Sequence, residues 1–92
     1  MYGAPISCRI PLVSGNTTAN AIDAITALFI SRGFSKRGGM TSKMVSGNTL
    51  QCPGAVFAVR DVRIKQKKNG VVVNGYQSDI LPILRDAGLI DR

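Results

Sequence analysis

The apolar residues of this chain change period along its length, and that change dictates which elements it can form. Between Ala4 and Leu12, the residues Ile6, Cys8, Ile10 and Leu12 alternate with Ser7, Arg9 and Pro11, the period of two of a half-buried strand. Pro11 has no N–H for a ladder, so the strand belongs at an edge or ends there. From Ala21 onward Ile22, Ile25, Leu28 and Phe29 recur at helical spacing. With turn and capping residues at Ser14 to Thr18, this predicts a first helix over Thr18 to Arg32. Gly33 suits left-handed backbone just past its end, and Phe34 can fold back on Phe29 as the apolar contact of a Schellman stop.

The second half returns to strand patterning. Ser35 to Gly39 reads as a basic, glycine-rich loop, followed by a strand from Thr41 to Val45, a turn at Ser46 to Asn48 and an extended piece through Gln51. A further strand is expected over Ala55 to Lys65, with Val56, Ala58, Val62 and Ile64 on one parity and Arg63 and Lys65 on the other. Arg60, Phe57 and Val59 break that pattern, which a bulge or burial on both faces would explain. Asn69-Gly70 before Val71-Val72-Val73 is a hairpin signal, because a type I′ turn requires positive φ at both central residues. Asp79 is expected to cap a last helix carrying Ile80, Leu81, Ile83 and Leu84 and ending near Gly88, with Pro82 in its first turn. The resulting order is β-α-β-β-β-α. It predicts a single α+β domain over residues 1–92, an antiparallel sheet of about four strands with two helices on one face. A chain of 92 residues buries roughly 60% of its unfolded surface, enough to fold without a metal or disulfide.

Charge is distributed very unevenly. Nine basic residues, Arg32, Lys36, Arg37, Lys43, Arg60, Arg63, Lys65, Lys67 and Lys68, face one acid, Asp61, between positions 32 and 68. The segments on either side are close to neutral, so this block carries the net charge of +7. Such a density of cations marks a surface for a polyanion. About half of the nine are expected only to solubilise strand edges, where lysine also deters edge-to-edge pairing. Arg32, Lys36 and Arg37 are the first phosphate-binding candidates, since Gly33, Gly38 and Gly39 would let backbone approach a phosphate closely. Lys65, Lys67 and Lys68 at the hairpin tip are the second, and Arg63 and Lys43 complete the set.

Catalytic chemistry is sparse. The chain has no histidine and no glutamate, two of the residues most used for general acid and base work. No Walker loop, zincin motif or GxSxG elbow is present. Asp61, beside Arg60 and Arg63, reads as an ion-pair partner. Cys8 and Cys52 lie outside any CxxC and have no histidine to complete a zinc site, so both read as small buried hydrophobes kept reduced. No cofactor and no metal are expected. No run of about 18 apolar residues suggests a membrane span, and the first 13 residues lack a signal-peptide pattern, which together predict a cytoplasmic protein.

The common nucleic-acid modules fit poorly. The central strand lacks the aromatic RNP signature, the last helix begins Asp79-Ile80-Leu81-Pro82 where a double-stranded-RNA domain carries lysines, and no GXXG loop joins two helices. In length, element order and its basic flank from Arg32 through Lys36-Arg37 and Lys65 to Lys68, the chain resembles the phage-encoded anti-CRISPR proteins directed at type I-F surveillance complexes. The resemblance rests on no diagnostic motif. It implies a stoichiometric inhibitor that docks on Cas proteins and guide-RNA phosphates in the host bacterial cytoplasm and blocks hybridisation with target DNA. The acidic DNA-mimic members of that family do not fit a charge of +7. The alternatives are a DNA- or RNA-binding accessory module without a protein partner and, least favoured, a nuclease-like toxin.

Overall fold

A computed structural model describes residues 3–39, 47–54, 60–68 and 70–90. The first strand, β1 (Pro5–Pro11), leads into helix α1 (Thr18–Ile30). Thr17 caps the helix, its hydroxyl oxygen accepting from the Asn20 amide at 3.1 Å. At the other end Gly33 takes φ +96°, the Phe34 amide donates to the Phe29 carbonyl and the Gly33 amide to that of Ile30. The Phe29 and Phe34 rings then meet edge to face, their centroids 5.1 Å apart. This is the Schellman stop expected from Gly33-Phe34, with the helix two residues shorter than Arg32.

Four strands follow: β2 (Ser35–Gly39), β3 (Gly47–Gln51), β4 (Val62–Lys67) and β5 (Gly70–Tyr76). A last helix, α2 (Gln77–Asp86), leaves β5 with no intervening loop. All strand pairings are antiparallel, and the sheet order is β1-β5-β4-β3-β2. The sheet therefore has five strands in the order β-α-β-β-β-β-α. The additional strand is Ser35–Gly39, whose composition reads as a loop but whose backbone pairs with β3. Gly47 and Asn48, expected in a turn, lie within β3. The strand predicted from Ala55 begins at Val62, with Arg60 and Asp61 preceding it, and residues 55–59, including Phe57, fall outside the described residues. So does the strand expected over Thr41 to Val45.

Register sorts the side chains onto two faces. Ile10 pairs with Val71, Cys8 with Val73, Val73 with Ile64, and Val62 with Leu50. These residues form one core with Ile22, Ile25 and Phe29 of α1 and Ile80, Ile83 and Leu84 of α2. Both helices thus cover the same face of the sheet. Gly75 lets α2 sit close: a Cβ there would lie 3.0 Å from Cγ2 of Ile80 and 3.2 Å from Cγ2 of Val62. The buried Thr26 hydroxyl is satisfied by the Asn48 amide at 2.9 Å, as a polar group removed from water must be.

Three local expectations are corrected. Lys67 pairs with Gly70, so Gly70 is a strand residue and not the second central residue of a turn, while Asn69 lies outside the described residues. Gly70 is held in the strand, where a Cβ would lie 2.7 Å from the Ile10 carbonyl oxygen. Because β5 runs straight into α2, Tyr76 takes the cap position without a side-chain cap, and Asp79 becomes the third helical residue. Pro82 is accordingly interior to the helix instead of in its first turn. The C-terminal end near Gly88 is as expected, with φ +73° and the Leu89 amide donating to the Leu84 carbonyl.

Candidate nucleic-acid interface

The face of the sheet turned away from the helices carries Ser7 and Arg9 of β1, Thr49 of β3, Arg63, Lys65 and Lys67 of β4 and Asn74 of β5. In β4, alternation sets Arg63, Lys65 and Lys67 on that face, while Val62 and Ile64 point into the core. Neighbours in register extend it sideways. Ser7 and Arg63 flank Asn74, Arg9 and Lys65 flank Val72, and Thr49 lies opposite Arg63. None of these side chains is buried. Successive cations along β4 are ~6.7 Å apart and Arg9 lies two strands away, ~10 Å.

The arginines and lysines of the chain have separate fates. Arg37 grips the buried Asp61 carboxylate with two hydrogen bonds, Nε to Oδ2 at 2.6 Å and Nη2 to Oδ1 at 3.0 Å. It reaches there because the register of β2 shifts between Lys36 and Gly38, leaving Arg37 as the extra residue of a bulge. Arg60 holds Asp79 in the same two-pronged way, at 2.7 and 3.2 Å. Arg32 pairs with Asp86 at 2.9 Å, tying the end of α1 to the end of α2. Asp61 is thus an ion-pair partner as expected, although its partner is Arg37, not its chain neighbours, and Asp79 is a partner in place of a cap.

This divides the candidates chosen from the sequence. Arg63, Lys65 and Lys67 come together on one face, with Lys68 at the adjoining turn. None of the four has an acidic partner among the described residues. Arg32 is engaged with Asp86 at the helix ends, and Arg37 reaches the Arg63 end of that file but is engaged with Asp61. Lys36 is exposed on the far edge strand, opposite Leu50, and Lys43 lies outside the described residues. The glycine-rich loop supposed to cradle a phosphate is a paired strand. Arg9 was missed: its guanidinium donates to the Lys68 carbonyl at 2.7 Å, which brings β1's one cation to the hairpin tip. The alternation of Ser7, Arg9 and Pro11 was the available signal.

The open face therefore presents Arg9, Arg63, Lys65 and Lys67, joined by Lys68. The one acid on that side among the described residues is Asp61, already held by Arg37. No family model, curated protein or solved structure matches this chain. Among the described residues no group of three or more acids, cysteines or histidines is placed to hold a metal, and no helix is long and apolar enough to cross a membrane. Cys52 is buried, donating to the Arg60 carbonyl at 2.9 Å. Burial first, and then the Asp79 carboxylate, push its thiol up to about 11, against the opposing charge of Arg60. Such a thiol is a poor nucleophile at neutral pH.

Proposed function

We propose that this chain is a non-enzymatic module that binds the phosphate backbone of nucleic acid with the open face of its sheet. The observation that carries the reading is the file Arg63, Lys65, Lys67 with Arg9 and Lys68 beside it, cations set on one surface without acidic partners among the described residues, while Arg32, Arg37 and Arg60 are each paired with an aspartate. Each phosphate neutralised releases condensed counterions. Five engaged cations would give a log-log salt slope of about −3.5 on a single strand and about −4.5 on a duplex.

The resemblance to type I-F anti-CRISPR proteins makes the polyanion more particular: guide RNA held by Cas proteins, with hybridisation to target DNA blocked. That version needs a protein-facing surface as well. Val13, 72% exposed, stands at an apolar groove of about 270 Å³ between the end of β1 and the helices, lined by Pro11, Leu12, Ala21 and Ala24 among others. The two versions separate in a pull-down of tagged protein from bacterial lysate, with and without nuclease. Retention of a Cas assembly with its guide RNA supports the inhibitor. Bulk nucleic acid lost on nuclease treatment supports the accessory module, and recovery of neither contradicts both.

A further inference from the structure

We infer that the open face also holds a nucleobase, in a hollow at the Arg63 end of the cation file, and that its ligand is therefore single-stranded nucleic acid. The inference rests on the phosphate-binding reading and makes its ligand specific. The hollow measures about 340 Å³ and is lined by Ser7, Asp61, Arg63, Asn74 and Tyr76, with Pro5 at the edge strand. That volume lies within the range of small-ligand clefts, about 300–1,000 Å³.

Its chemistry suits a base better than a phosphate. Asp61 lies at the wall with its charge already met by Arg37 and its side chain covered, so the hollow offers an anion no free cation besides Arg63. Ser7 donates its hydroxyl to Asn74 Oδ1. This fixes the orientation of the Asn74 amide, leaving its nitrogen as a donor and the Ser7 oxygen as an acceptor. Arg63, with no acidic partner among the described residues, adds a planar donor group, and Tyr76 adds an aromatic ring. Donors, an acceptor and an aromatic residue around one hollow are the means by which unstacked bases are read.

Position supplies the second half of the argument. Arg63 lines the hollow, and Lys65 and Lys67 follow it along the same strand face at steps of ~6.7 Å. A strand whose phosphates follow those lysines brings one base over the hollow. A duplex keeps its bases stacked inside, so it can use the lysines but not the hollow.

The test is fluorescence anisotropy on the full chain with three probes of equal length: a labelled single strand, the same strand with abasic sugars, and the corresponding duplex. The single strand is expected to bind about tenfold more tightly than the abasic strand, the loss typical of one base–aromatic stack. Asn74→Ala and Tyr76→Leu are expected to reduce single-strand affinity about five- to tenfold and leave duplex binding unchanged, with thermal melting confirming that both variants fold. The abasic comparison uses the unaltered protein and so survives a variant that does not fold. Equal affinity for intact and abasic strands would overturn the base site while leaving the phosphate-binding reading intact. Binding to none of the three probes would overturn both.

Discussion

At the scale of single residues, ion pairs of identical type have different weights because their burial differs. The Asp61 side chain is 1% exposed and receives two hydrogen bonds from Arg37, whereas Arg32 and Asp86 are 41% and 64% exposed. Removing the partner of a buried charge strands it, while an exposed pair competes with water and salt. Arg37→Ala is therefore expected to lower the melting temperature clearly. Arg32→Ala should change stability by no more than about 0.5 kcal/mol, and thermal denaturation of both variants checks the ranking. The cysteines give a second residue-level expectation. Burial raises both thiols, with Arg85 opposing the effect at Cys8. At pH 8, iodoacetamide should modify half-buried Cys8 faster than buried Cys52, as read by peptide mass spectrometry. Between the ordinary thiol value of 9.0 and the folded value of about 11, the unfolded chain releases a proton from Cys52 that the folded chain retains. The thiol's contribution is complete below pH 9 and is lost as pH rises toward 11. Cys52→Ala should flatten that part of the stability profile.

At the scale of elements, what the sequence revealed was what local chemistry decides. The α1 stop was legible because Gly33, Phe34 and Phe29 lie within six positions and satisfy one another. The cations of β4 were legible because alternation alone puts Arg63 and Lys65 opposite Val62 and Ile64. Ser35–Gly39 was not, since two glycines, a lysine and an arginine have little strand propensity and only pairing with β3 makes them a strand. Arg9 was overlooked for a related reason: it joins the file through β5, more than 60 positions away in sequence. The Asp61 partner required a bulge in a strand that composition does not announce. Gly47 shows the same limit. Composition reads it as a turn glycine, whereas a Cβ at that position in β3 would overlap the Ile64 carbonyl oxygen of β4. Gly47→Ala should accordingly cost at least about 2 kcal/mol, as backbone that cannot part without losing ladder hydrogen bonds. Gly33→Ala should cost about 1 kcal/mol for its left-handed φ. Chemical denaturation of the two variants measures the difference.

At the scale of the whole molecule, the two sides of the sheet differ in composition. One is covered by both helices and holds the core, and the other carries cations along β4 and from β1. That separation allows the proposed binding face to be altered without touching the fold: Lys65 and Lys67 contribute nothing to the core. The most direct test is the salt dependence of single-strand binding by the wild type and by the Lys65→Glu/Lys67→Glu variant, with melting temperatures measured alongside. The wild type is expected to show a log-log slope near −3.5, and the variant a slope shallower by about 1.4 or more with affinity reduced at least tenfold at low salt and the fold intact. An unchanged slope and affinity in a folded variant would contradict phosphate binding by this face.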